Sequence, residues 1–242
     1  MEGHIVRTFD GDILNLRTQV LRMGGLAIDQ VQRAVQALTR GNDDAARAVI
    51  SRNEQVVAYA RAIEDDIVGL IARRQPVASD LKAVLAVGRA ATDLERVGNA
   101  ARKICKLALE LDRGRDGAPL ERFYSDVRKM SRLALAMLRD ALDCFDRIDL
   151  EGALKVVHRD AEVDSEFQLA LRELVTYVME DQRHLGSTIQ TVFVLKALER
   201  VGDHARNIAA VVPKFARRDV GAADSAVVAP ATRSESGANT AG

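Results

Sequence analysis

Glu199 and Asp203 stand at i and i+4 within Leu198-Glu199-Arg200-Val201-Gly202-Asp203-His204-Ala205-Arg206-Asn207-Ile208. On a helix that spacing puts two carboxylates on one face, one turn apart. Asp160 and Asp164 repeat the spacing earlier in the chain, with Glu162 between them on another face. Two like charges one turn apart repel by about 0.2–0.5 kcal/mol when exposed, and by more when turned inward, unless a cation joins them. Two kinds of cation can do so. A metal is one, since carboxylate oxygens are hard ligands that suit Mg2+, Mn2+, Ca2+ or iron. An arginine is the other, and Arg206 lies at i+3 from Asp203 on the same face. Spacing alone favours the arginine-paired or solvated face, because structural ion pairs are commoner than sites. If the helices that carry them are neighbours, Asp160, Asp164, Glu199 and Asp203 converge on one patch, where a metal reading gains weight.

The segment has a counterpart near the middle of the chain: Leu94-Glu95-Arg96-Val97-Gly98-Asn99-Ala100-Ala101-Arg102-Lys103-Ile104. Leu, Glu, Arg, Val, Gly, Ala, Arg and Ile recur in register. Ala46 to Asn53 aligns in the same way with Ala153 to Asp160, which makes the chain one unit used twice. Gly98 and Gly202 each lie inside a helical pattern, where glycine costs about 1 kcal/mol against alanine. Close helix–helix packing explains them, with ligand access to the backbone as the alternative. The copies are unequal: Asn53 stands for Asp160, Val57 for Asp164, Asn99 for Asp203 and Lys103 for Asn207. In the first copy Glu95 is the clear carboxylate, with Asn53 and Asn99 as neutral oxygen donors. Asp93 falls two before Glu95, off that face.

Other chemistry is thin. His204 lies about 100° around the helix from Asp203 and reads as a neighbour of the site or a surface residue. His4, His158 and His184 have no partner at ligand spacing. No Glu-x-x-His pair of the di-iron type, no phosphate-cradling Gly-rich loop and no usable nucleophile constellation is present.

The elements that position these residues are helices. The 242 residues are 48% hydrophobic and 29% charged, with no Trp, four Pro and 4% aromatics, which suits a bundle built from Ala, Leu, Val and Ile. Ile13, Leu16, Val20, Met23, Leu26, Ala27, Val31, Ala34 and Leu38 step by three and four along a first helix from about Asp10 to Gly41. A second runs from Asp43 to about Arg74, and Pro76 turns the chain. A third starts at Ser79-Asp80 and carries the first motif to about Leu111. The order then repeats, with a fifth helix from Asp149 to about Asp181 and a sixth that begins near Gly186 and fades after Phe215 to Arg218. The fold expected is all-α: two tandem three-helix bundles over 1–112 and 119–218, related by a pseudo-two-fold, with a linker at 113–118 and a disordered tail at 219–242.

Net charge is zero, from 35 basic and 35 acidic residues, which argues against nucleic-acid binding as the main activity. Cys105 and Cys144 make no disulfide framework and point to a reducing compartment. Met1 to Asp12 has no apolar signal core, and no stretch approaches the ~18–20 uncharged residues of a membrane span. A cytoplasmic protein is expected.

With these residues in view, the chain resembles the PhoU family, accessory regulators of the phosphate-specific transport system. Leu198 to Ile208 looks like that family's repeated Glu-Arg-(Ile/Val)-Gly-Asp-x-x-x-Asn-Ile signature. Arg74-Gln75-Pro76-Val77-Ala78-Ser79-Asp80-Leu81-Lys82, Met23-Gly24-Gly25 and Arg159 to Asp164 also fit, and the resemblance covers roughly Asp10 to Phe215. It implies the same two three-helix bundles and a metal, of Fe, Zn, Mn or Mg type, on the carboxylate motifs. Glu199 and Asp203 would be ligands, Asp160 and Asp164 contributors and Asn207 a further one, with Glu95 and Asn99 a weaker first site. The implied role is a non-enzymatic one: negative control of the phosphate regulon through the transporter's ATPase subunit and a phosphate-sensing histidine kinase. The membrane would be met only peripherally, through those partners, and a homodimer is the expected assembly. The competing readings are a carboxylate-bridged metalloprotein, serving as metal store or redox enzyme, and a structural helical adaptor.

Overall fold

The computed structural model describes residues 2–111, 119–180, 183 and 185–215. Six long helices follow one another: α1 (Glu2–Arg40), α2 (Asp43–Arg74), α3 (Ala78–Glu110), α4 (Pro119–Arg147), α5 (Leu150–Glu180) and α6 (Leu185–Val211), with no strand among the described residues. The expected linker at 113–118 and tail at 219–242 lie outside those residues, as does His184.

Local chemistry sets most of the boundaries. Gly41 takes a positive φ of 65° behind α1, and the Asn42 side chain then accepts from the Ala45 amide at 2.9 Å to cap α2. Asp149 caps α5 likewise, accepting from Gly152 N at 3.0 Å. Two ends depart from expectation. The first helix starts at Glu2 rather than about Asp10; the added stretch has no proline to stop it, although Gly3 and the β-branched Ile5, Val6 and Thr8 are not strong helix formers. The sixth ends at Val211, two residues before Pro213, whose missing N–H ends the ladder. Beyond it the chain tightens into i→i+3 bonds, Val212 N to Ala209 O and Phe215 N to Val212 O.

The apolar stripe of α1 is buried as the periodicity predicts, Leu26 being only partly covered. Helices α1, α2 and α3 pack on one another, as do α4, α5 and α6. Across the halves α1 meets α4 and α3 meets α6, so each joins its own counterpart, the pattern of a two-fold interface. Arg17 of α1 fastens the first of these contacts. It donates to the carbonyl oxygens of Phe145, at 2.9 Å, and Asp146 at the end of α4, with its guanidinium over the rings of Phe145 and Phe215. No helix among the described residues is long and apolar enough to cross a membrane.

Gly98 and Gly202 set how closely the motif helices approach their neighbours. A Cβ on Gly202 would lie 3.3 Å from Val163 Cγ1 of α5. One on Gly98 would lie 3.1 Å from Val56 Cγ1 of α2, the counterpart of Val163, and 2.8 Å from Asn53 Oδ1. Close packing is therefore the use of both glycines, and the first is the tighter. Alanine gains about 1 kcal/mol in helix propensity at either position. Gly202→Ala is expected to be neutral or mildly stabilising, since Val163 can yield a few tenths of an ångström. Gly98→Ala is expected to lose about 1–2 kcal/mol net, because Asn53 is buried and Val56 is stiff. Urea unfolding of the two variants checks this; equal effects would contradict it.

Candidate functional site

The carboxylates of the second half gather on the facing surfaces of α5 and α6. Asp160, on α5, is buried, and its Oδ2 accepts from Arg206 Nη1 of α6 at 2.6 Å. The other end of the same guanidinium reaches Asp203 Oδ1 at 3.4 Å. One arginine thus holds two acids from two helices, the fork geometry that guanidinium offers and ammonium does not. Burial pushes the Asp160 carboxyl above its usual range, Arg206 draws it back, and the charges of Asp164 and Asp203 push it up again.

The four carboxylates do not all converge. Asp164 is exposed and acts on Asp160 only as a nearby like charge. Glu199 is buried, and its Oε1 takes Lys196 Nζ of its own helix at 2.5 Å, while Oε2 is buried with no hydrogen-bond partner among the described residues. Among those residues no three His, Cys, Asp or Glu side chains are gathered closely enough to hold a metal. The cation between Asp160 and Asp203 is Arg206.

The first half shows what the same frame does without acids. Asn53 and Asn99 stand at the positions of Asp160 and Asp203, and they bond directly, Nδ2 to Oδ1 at 2.9 Å. Two amides can donate and accept between themselves, whereas two carboxylates only accept and need a cation. Accordingly Arg102, the counterpart of Arg206, is exposed and has no partner among the described residues. Asn53 Oδ1 is buried and unsatisfied. Glu95 is half-buried beside a cleft of about 820 Å³ that Asp93 and Asn207 also line.

Asn207 is turned away from the carboxylate patch. Its Nδ2 donates to Asp93 Oδ1 of α3 at 3.3 Å, and His204 Nδ1 lies 2.9 Å from the same oxygen. Asp93 stands two positions before Glu95, off the face that carries that carboxylate. It is off that face because it points at the other half. The signal that could have found it is the broken symmetry of the repeat: Asp93 and His204 both have alanine counterparts, Ala197 and Ala100.

Comparison with known proteins agrees with the duplication. The PhoU domain family model matches twice, at residues 20–108 and 127–212. A relative from Pseudomonas putida, named phosphate-specific transport system accessory protein PhoU homolog, is 40% identical over 86% of this chain and 80% of its own length. The Escherichia coli K12 protein, named phosphate-specific transport system accessory protein PhoU, is 35% identical over 86% of this chain and 85% of its own length. The crystal structure of PhoU from Pseudomonas aeruginosa superposes with a TM-score of 0.81 at 38% identity, covering 87% of this chain and 99% of that one. With two family matches, relatives matched over most of their length and a shared architecture of paired three-helix bundles, the chain belongs to the PhoU family.

Proposed function

We propose that this chain is a regulatory accessory protein of phosphate uptake, and that it restrains the phosphate-starvation response when phosphate is plentiful. It does so by bridging the ATPase subunit of the phosphate ABC transporter and a phosphate-sensing histidine kinase. It works in the cytoplasm as a homodimer, reaches the membrane only through those partners, and catalyses no reaction. The observation that carries this reading is the double family match over a duplicated motif, in a chain whose relatives are named accessory proteins of phosphate-specific transport. Two findings suit a binding protein: long helical faces, and the absence of a nucleophile constellation from the sequence.

The carboxylate patch is the metal-binding element of this reading. Asp160, Glu199 and Asp203 would hold a hard or borderline divalent ion (Mg, Mn, Zn or Fe), with Asp164 nearby. The buried, unpartnered Oε2 of Glu199 and the two acids already joined by a cation support that role. The three acids are not gathered closely enough as they stand, so Arg206 and Lys196 would have to release them and the acids close up around the ion. A bound ion supplies positive charge that neutralises the acids, as Arg206 does here. Asn207 is bonded across the seam and would have to leave Asp93 to join it. Glu95 and Asn99 form a poorer set, with Asn99 bonded to Asn53.

Deletion of the gene is expected to raise phosphate-starvation gene expression in phosphate-rich medium, and a pull-down from phosphate-replete cells to recover the transporter ATPase and the kinase. Unchanged expression would sink the regulatory role. Metal analysis of untagged protein addresses the patch separately: Glu199→Ala with Asp203→Ala should lower metal content, and unaltered content would remove these residues from the site.

A further inference from the structure

The seam between α3 and α6 is bonded on one side and hollow on the other. On the bonded side Asp93 of α3 holds His204 and Asn207 of α6. The repeat supplies a counterpart for each member: Ala197 for Asp93, Ala100 for His204 and Lys103 for Asn207. Two alanines cannot make that contact. A groove of about 490 Å³ opens where they stand, with Arg96, Arg200, Lys103 and Asp203 around it. Arg96 and Arg200 are one motif position in two copies, so the pseudo-two-fold brings both arginines to one groove.

The charge there is unbalanced. Arg96 and Arg200 are exposed and have no hydrogen bond or ion pair among the described residues. Lys103 Nζ lies 5.2 Å from the centre of the Phe193 ring, a contact that uses none of its N–H donors. Asp203 is the one acid of the lining, and it is drawn to Arg206 at 3.4 Å. Two arginines and a lysine thus line one groove in a chain whose overall charge is zero, with Arg96 also bordering the cleft of about 820 Å³ and Lys103 free to swing from Phe193. A carboxylate is satisfied by one fork. A tetrahedral phosphoryl dianion offers separate oxygen pairs to two forks and a further oxygen to a lysine.

We propose that this groove binds a small phosphoryl anion, with Arg96 and Arg200 as paired donors and Lys103 as the third charge. Orthophosphate and a short oligophosphate present the same chemistry, and the groove has room for either. The groove borders the carboxylate patch at Asp203 but draws its donors from Arg96, Arg200 and Lys103, none of which belongs to that patch, and the proposal does not depend on the regulatory role proposed above.

The test uses the full chain after chelator treatment, at near-physiological salt. Labelled orthophosphate is measured by equilibrium dialysis and tripolyphosphate by calorimetry. Saturable binding of at least one is expected, and the arm that binds identifies the ligand size. Arg96→Gln and Arg200→Gln should each weaken it about tenfold, and the double variant should bind neither ion. Both positions are exposed and glutamine is a good helix former, so the variants should fold, as thermal melts will show. Glu199→Ala should leave binding intact. No saturable binding of either ion, undiminished binding by the double variant, or binding only after a divalent metal is added would each overturn the proposal.

Discussion

Arg206→Ala is expected to lower the unfolding free energy by about 2–3 kcal/mol at neutral pH, and the deficit is expected to shrink as the pH falls. Breaking a buried ion pair by removing one partner costs about 3–5 kcal/mol, because a charge is left in a poorly solvated place. The lower end applies here. The side chain of Asp160 is only 8% exposed, but Arg206 is 40% exposed and Asp203 36%, so water screens part of the loss. The sign of the pH effect follows from Asp160, whose folded-state pKa is raised by burial. An acid with a raised folded pKa destabilises when it ionises. The cost is absent below the unfolded value near 3.8 and is complete above the folded one. Removing Arg206 deletes the main influence that draws this pKa down, so the window widens upward. Urea unfolding followed by circular dichroism at about pH 7.5 and about pH 5 reads it out, and an equal deficit at both would contradict this account. The same variant bears on the metal reading. With the arginine gone, Asp160 and Asp203 lack their cation, and added Mn2+ or Zn2+ should restore stability to Arg206→Ala more than it stabilises the parent protein.

Much of this was legible in the sequence, and the parts that were not share one cause. Helical periodicity and capping residues place α2 within a residue or two, and the duplicated Leu-Glu-Arg-Val-Gly core places α3 and α6 as counterparts. The i,i+4 spacing also shows that Glu199 and Asp203 share a side of α6. What spacing within one helix does not carry is which neighbour each side faces. Glu199 turned to Lys196 one turn back, and Asp164 stayed in solvent. Asp93 and Asn207 face the seam between halves, a surface that no single repeat contains, and their contact depends on residues the two copies do not share. The choice between metal and arginine was open for a related reason. Arg206 reaches Asp203 by local spacing, but its shorter contact is with Asp160 on another helix.

The first half allows the converse experiment. Asn53→Asp with Asn99→Asp writes the acids of the second half into the first without changing side-chain shape. Asn53 is 3% exposed, so a charge there is poorly solvated, and the direct amide bond is lost because two carboxylates cannot share it. Such a pair answers by retaining a proton, and each pKa unit so gained corresponds to about 1.4 kcal/mol. Arg102 stands where Arg206 stands in the second half and is uncommitted, so it is expected to swing onto the new acids and limit the loss to about 1–2 kcal/mol. Arg102→Ala alone should then change stability by less than about 0.5 kcal/mol. Added to the double variant carrying Asn53→Asp and Asn99→Asp, it should cost a further ~2–3 kcal/mol, as Arg206→Ala does in the second half. A double-mutant cycle by urea unfolding at neutral pH measures the coupling between arginine and acids directly. Additive losses would mean that Arg102 cannot reach the position of Arg206, and that the two bundles differ in backbone as well as in side chains. Coupled losses would show one frame accepting either an amide pair or two acids with a cation, with the substitutions at Asn53 and Asn99 alone deciding which.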